Sequence, residues 1–297
     1  MISVPYLRRG PDSISPTAHY TGETWVRHGL SHPELRTARG RVFFDTLRPT
    51  MAVSRALGGP TLEGMLIARH RIIDSLLEND IADGTISQVV EVACGMSPRG
   101  WRFATRHGED LVYVEADLPA MAASKRGALR RIGSLSDRHR VVDLDVLRDG
   151  GPGSFAELIA GLDPDRGTAI ITEGLTSYLS DEQVEEVWTR FADALHGFPA
   201  GLYLSDLRLA GEGRDLVEQV FNAGLGAFVR SKIHPHFSSE DAAAAALVAA
   251  GFETARLHRG DVHPAAELSG DAGAALIHVI EGRIGSPVTG SGATAAR

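Results

Sequence analysis

The chain of 297 residues is 43% apolar and 23% charged, enough for one large α/β domain with appendages and too apolar for disorder over most of its length. A formal net charge of −8 with scattered arginines excludes the basic stripe that neutralises a phosphate backbone, and a single cysteine, Cys94, excludes both a disulfide framework and a cysteine-rich metal site. The opening "MISVPYLRRGPDS" lacks a signal peptide's apolar stretch and no run reaches membrane-spanning length, so the expectation is a cytoplasmic monomer or homodimer with neither nucleic acid nor membrane as partner.

Residues 1–84 stand apart from the rest of the chain. Their best-patterned stretch, "LEGMLIARHRIIDSLLEND" at 62–80, predicts a long helix, and the segment reads as a helical cap or lid. From about residue 85, short β-branched runs alternate with helical periodicity, which predicts βαβ units in a parallel sheet. The predicted strands are "SQVVEVA", "LVYVEAD", "RVVDLDV", "AIITEGL" and "LYLSDLR". Each of the first four ends in an acidic residue or a small-residue turn, and in an open parallel sheet those ends line the ligand crevice. Between the fourth and fifth, "SDEQVEEVWTRFADAL" has Ser180 as N-cap and Asp181 and Glu182 in its first turn. An irregular insertion at about 207–237 is expected to wall a substrate pocket. "SSEDAAAAALVAAGF" then predicts a helix ended by Gly251, "TARLHRG" and "ALIHVIEGRI" predict an antiparallel closing hairpin up to residue 284, and 285–297 reads as a flexible tail.

The candidate site residues lie at the predicted strand ends. In "EVACGMSPRG", Glu91 is followed by small residues at alternate positions, Ala93, Gly95 and Ser97, which lets a ligand approach the backbone closely. The turn has neither the Lys-Ser/Thr pair of a phosphate-cradling loop nor a full G-x-G-x-x-G. Asp117 in "VYVEADLPAM" ends the second strand, where a carboxylate can accept bonds from both ribose hydroxyls; Glu115 competes for that role, farther from the tip. "VVDLDVL" supplies Asp143 and Asp145, with Asp145 the better placed to meet an adenine amino group. Glu173 in "TEGLTSYL" is expensive to bury alone, so a ligand or an arginine should meet it. Arg69 and His70 on the long helix are candidates for a ligand's carboxylate, and His234 and His236 in "KIHPHF" are candidate bases.

Together "EVACGMSPRGWRF", "YVEADLPAMAASKRGAL" and "TEGLTSYLS", with "YTGETWVRHGLSHPEL" and "ARHRIIDSLL", resemble the leucine carboxyl methyltransferase family, in particular its bacterial branch of polyketide O-methyltransferases typified by tetracenomycin biosynthesis. The likeness covers most of residues 15–280. It implies an α/β, Rossmann-like class I methyltransferase fold, with a mostly parallel seven-stranded sheet and an N-terminal helical lid. It also implies S-adenosyl-L-methionine as cofactor, S-adenosyl-L-homocysteine as product, and O-methylation of a carboxylate or acidic hydroxyl on a small-molecule acceptor in secondary metabolism. By motif position it implies Arg69 for the methionine carboxylate, and Glu91, Ala93 and Gly95 in the turn beside the methionine. Asp117 with Leu118 would take the ribose, Asp145 with Val146 the adenine end, and Glu173 the amino end. The turn "GMSPRG" departs from the phosphatase-modifying members, which argues against a phosphatase C-terminus as substrate. A carboxylate acceptor needs no base, whereas a phenol needs His234 or His236. A nicotinamide-dependent oxidoreductase and a non-catalytic S-adenosylmethionine-binding protein are the rival readings.

Overall fold

In the computed structural model, which describes residues 16–210, 235–269 and 271–285, the β-branched runs form one seven-stranded sheet. The strands are β1 (Gln88–Val92), β2 (Val112–Asp117), β3 (His139–Asp143), β4 (Thr168–Thr172), β5 (Gly201–Leu207), β6 (Thr254–Arg259) and β7 (His278–Ile284), in the spatial order β3-β2-β1-β4-β5-β7-β6. β1 to β5 are parallel, while β7 runs antiparallel to both of its neighbours, so the predicted closing hairpin forms. Strand order reverses between β1 and β4, which opens a crevice at their carboxyl ends.

Period-two alternation sorts the strand residues into two apolar layers. Val89, Tyr113, Ala169, Leu202 and Val279 face one side, Val90, Val114, Ile170, Tyr203 and Ile280 the other. Three helices precede the sheet: α1 (Pro16–Arg27), α2 (Ala38–Ala56) and α3 (Leu62–Ala82). α3 covers the first face, with Ile72, Ile73 and Leu77 fully buried against Val89 and Tyr113. Burying such a side chain contributes about 1.5–3 kcal/mol, so α3 is a structural layer of the sheet as well as part of the cap. After β1 come α4 (Arg99–His107), α5 (Pro119–Ile132), α6 (Phe155–Ala160), α7 (Asp181–Leu195) and α8 (Glu240–Ala249). α7 covers the second face through Val187, Trp188 and Phe191, and its start carries a reciprocal capping box between Ser180 and Gln183.

Three of the first four predicted strands end early, among them "AIITEGL", which is strand only to Thr172 before Gly174 turns left-handed. β1 stops at Val92 because Ala93 turns left-handed. The run "RVVDLDV" is strand only to Asp143: the Leu144 N–H makes the last ladder bond to the Asp117 carbonyl (2.8 Å), and the Asp145 carbonyl then accepts from the Arg148 N–H (3.0 Å) in a turn. The expected pocket wall falls mainly on residues 211–234, which lie outside the described residues, as do the tail from 286 and residues 1–15. Among the described residues, no helix is long and apolar enough to cross a membrane.

A distant residue holds the start of α3. Thr61 caps it, with its hydroxyl accepting from the Gly64 N–H at 3.0 Å, and Asp271 in turn accepts from the Thr61 N–H (3.0 Å) and hydroxyl (2.7 Å). Asp271→Ala should cost about 1–2 kcal/mol and lower the melting temperature by a few degrees, measured by thermal unfolding. An unchanged melting temperature would mean that the Thr61 cap holds without this support.

Candidate functional site

The turn after β1 is built so that backbone, not side chain, faces the crevice. Ala93 has φ 55° and Gly95 φ 51°, both in the left-handed region that side chains with a Cβ rarely occupy. This directs the Gly95 N–H to Asp117 Oδ2 at 2.7 Å, while the Leu118 N–H donates to Asp117 Oδ1 at 2.8 Å. Sequence-distant Gly95 and Asp117 thus meet at the tips of adjacent strands. Burial pushes the Asp117 carboxyl up to about 6 against the opposing pull of those two N–H bonds. α1 crosses directly above: a Cβ placed on Gly95 would come within 3.7 Å of the Ala18 Cβ, and one on Gly22 within 3.1 Å of the Met96 Cβ.

Beside Asp117, Leu118 is 41% exposed and Val146 is buried at the tip of β3. Half-buried Asp145 accepts the Leu147 N–H through Oδ1 at 3.1 Å. Asp143, the alternative at this tip, is exposed and paired with Arg126 at 2.7 Å. Glu115, the alternative to Asp117, is fully buried; it forms an ion pair with Lys125 and accepts from His139 Nε2 at 2.7 Å. Its carboxylate supports the underside of the sheet and leaves the crevice to Asp117.

Across the switch point lies a buried ionic network. Glu173 Oε1 accepts from Arg69 Nε at 3.0 Å, and Oε2 accepts from Arg99 Nη2 at 2.6 Å and lies 2.9 Å from His70 Nδ1. Arg69 Nη1 also donates to Asp206 Oδ2 at 2.7 Å. Arg99 continues the chain to Asp74 (2.6 Å) and Glu91 (2.7 Å), and Arg102 pairs with Asp74. Burial alone would raise the Glu173 carboxyl, but His70, Arg99 and Arg69 outweigh it and hold the group well below the usual carboxylate range. Asp74 is lowered too, with His70, Arg99 and Arg102 overcoming its desolvation.

Two expectations need correction. Glu91, expected beside the ligand, points to the α3 side of the sheet, where it is 1% exposed and bound to Arg99 and the Tyr113 hydroxyl (2.8 Å). Strand alternation puts it on the same face as Val89, beneath the turn. His236, expected as a base, has a buried ring with Nδ1 at 2.5 Å from Asp181 Oδ1 and Nε2 at 2.9 Å from the Thr176 carbonyl. Both nitrogens are engaged by oxygens of the protein, so the ring straps its loop to the turn after β4. His234 lies outside the described residues.

Asp74, Arg99 and Arg102 lie inside the motifs "ARHRIIDSLL" and "EVACGMSPRGWRF" without being singled out there as site residues, and Asp206 lies in the fifth predicted strand, outside the motifs. A usable signal was present: Asp74 follows His70 at helical spacing, and Arg99 and Arg102 share a face of α4. What they neutralise becomes visible only once α3, α4 and β4 converge.

A sequence model of the leucine carboxyl methyltransferase family matches residues 31–192. A Streptomyces coelicolor protein, provisionally described as an S-adenosyl-L-methionine-dependent methyltransferase, is 34% identical over 128 residues, 43% of this chain and 44% of that protein. A Mycolicibacterium gilvum protein of the same description is 33% identical over 179 residues, 59% of this chain and 54% of that one. The chain thus matches about half the length of these curated relatives. Among solved structures, a Thermobifida fusca protein provisionally described as a methyltransferase superposes with TM-score 0.60 at 14% identity, covering 92% of this chain and 96% of its own. A DUF574 family protein from Streptomyces avermitilis gives 0.61 at 15%, covering 90% and 96%. At such identities the likeness is one of fold.

The left-handed Ala93 carries a steric penalty that glycine would not. Ala93→Gly should therefore stabilise the chain by up to about 1 kcal/mol, read as a higher urea midpoint. A lower midpoint would show that the alanine methyl's packing outweighs its strain.

Proposed function

Since the chain belongs to the leucine carboxyl methyltransferase family and has the class I methyltransferase fold, we propose that it is an S-adenosyl-L-methionine-dependent O-methyltransferase acting on a small molecule. One observation carries the reading: the crevice between β1 and β4 has a nucleoside-type half, with Gly95 N–H and Asp117, and an amino-acid-type half, with Arg69 and Glu173. The residues fit the cofactor. Asp117 is a half-buried carboxylate with two N–H partners and acceptor capacity remaining, and Arg69 Nη2 makes no hydrogen bond among the described residues.

In this reading Asp117 takes the ribose hydroxyls, Leu118 and Val146 supply apolar cover for the adenine, and Asp145 accepts from its amino group. Arg69 takes the methionine carboxylate and Glu173 the ammonium, with Ala93 and Gly95 keeping the turn open beneath them. When bound, the cofactor supplies an electrophilic methyl group for in-line displacement. The protein's part is to orient the acceptor and exclude water, worth about 7–11 kcal/mol for well-placed reactants. α1, lying over Gly95 and Met96, is the element that closes the methionine end.

The acceptor we favour is a carboxylate, with an acidic hydroxyl second. A carboxylate is already ionised, and His236, with both ring nitrogens engaged, is not available to remove a proton. The sequence likeness to the polyketide O-methyltransferase branch supports an acceptor from secondary metabolism, and the net charge of −8 argues against nucleic acid.

Calorimetry with S-adenosylhomocysteine and NAD, followed by product analysis, tests this. Binding of the first alone, and a methyl group released by mild alkali, are expected; NAD binding, or methyl on nitrogen or carbon, overturns the assignment. His236→Gln should leave turnover within a few-fold for a carboxylate, whereas a positioned base would be worth about 10²–10⁴-fold.

Affinity should also depend on pH through Asp117. Its carboxyl, raised to about 6, is protonated below that value and then loses acceptor capacity, so S-adenosylhomocysteine should bind about tenfold more weakly at pH 5 than at pH 7. The folding contribution has the opposite sign: a raised carboxyl favours the fold at low pH, and this is lost as pH rises from 3.8 through about 6. Weaker binding at pH 5 therefore cannot be ascribed to this group destabilising the fold. A flat affinity profile would mean that the ribose is held elsewhere.

A further inference from the structure

We propose that Asp206, at the tip of β5, is a positioning residue that aims the Arg69 guanidinium and so makes the site demand a ligand end bearing a carboxylate. The inference rests on the methyltransferase reading above and adds a residue that the sequence motifs do not mark.

Asp206 is 4% exposed and divides its two oxygens between two partners. Oδ2 accepts from Arg69 Nη1 at 2.7 Å, and Oδ1 accepts from the Gly174 N–H at 2.5 Å. Its backbone carbonyl also accepts from the Thr176 hydroxyl at 3.1 Å, so one residue fixes the turn after β4 at two points. Gly174 has φ 80°, and a Cβ there would sit 3.3 Å from Arg69 Nη2 and 3.4 Å from Nη1. The guanidinium is therefore held between a carboxylate and a bare backbone.

Glu173 cannot do this work alone. Its Oε2 is already shared by Arg99 and His70, which leaves Oε1 for Arg69 Nε. When a ligand ammonium engages Glu173, part of that charge is withdrawn from Arg69. Asp206 is the acid that stays with the guanidinium, and it holds Nη1 while Nη2 is left for a ligand carboxylate. A buried arginine without such a partner would be both costly and free to swing. Asp206 acts through Arg69 and needs no contact with the ligand.

Calorimetry on the full chain with S-adenosylhomocysteine and its decarboxylated analogue, for wild type, Asp206→Asn and Asp206→Glu, separates the outcomes. An asparagine offers one acceptor where two donors wait. Asp206→Asn should therefore weaken S-adenosylhomocysteine about 10- to 100-fold and the decarboxylated analogue less than about threefold. Asp206→Glu, which keeps the charge, should recover part of the loss. Equal losses for both ligands would show that Asp206 only supports the fold, and no loss for either would show that Arg69 is aimed without it; both overturn the proposal. If Asp206→Asn does not fold, the loss confined to the carboxylate-bearing ligand must appear in Asp206→Glu, or the proposal falls. Failure of wild type to bind S-adenosylhomocysteine would sink the methyltransferase reading, and this inference with it.

Discussion

Arg99 is fully buried, and three carboxylates from three different elements close on it: Asp74 from α3, Glu91 from β1 and Glu173 from the turn after β4. Each is costly to bury alone, and removing one partner from such a set costs about 3–5 kcal/mol because the remaining charge is stranded. The arrangement is therefore close to all-or-none. α3 must dock, α4 must start at Pro98, and β1 and β4 must be neighbours before any of these charges is matched.

That constraint joins the cap to the sheet. α3 contributes apolar area through Ile72, Ile73 and Leu77, but its polar face, with Arg69, His70 and Asp74, is what registers it against the strand tips. Trp25 of α1 packs over His70 with ring centroids 4.8 Å apart, so the first helix is also tied to the position of the network. Hydrophobic burial supplies most of the driving force here, while the ions select which of many apolar dockings is used.

The two halves of the crevice are prepared differently. At the β1–β2 tips a carboxylate, Asp117, is half-buried with backbone N–H partners from Gly95 and Leu118, and its pKa rises. At the β4–β5 tips Glu173 is met by Arg69, Arg99 and His70 and Asp206 by Arg69 and the Gly174 N–H, and the pKa of Glu173 falls. The first half gains from hydroxyl donors that would repay its desolvation. The second is an oriented ion pair whose exchange with a zwitterion preserves its charge balance. A nucleoside linked to an amino acid complements both halves.

Much of this was legible along the chain. The strand runs, the cap at Ser180, the turn of small residues after β1, and the acidic strand ends Asp117 and Glu173 are local features, set by steric preference and period. The expense of burying Glu173 implied that a ligand or an arginine would meet it, and Arg69 and Arg99 both do. The roles of Glu91 and His236 were not legible. Glu91 has the spacing of a ligand residue, and its direction was decided by which strand face α3 covers. His236 has the composition of a mobile base, and its ring was claimed by Asp181 and the Thr176 carbonyl, 55 and 60 residues away. By itself, the sequence determined where the strands run, though not the last residue of each, and which acids sit near the tips, because backbone sterics and side-chain period act over a few residues. Only the tertiary structure decided which acids remain for a ligand and which neutralise Arg69, Arg99 and Arg102, because charge pairing is settled by distance in space between elements far apart in the chain.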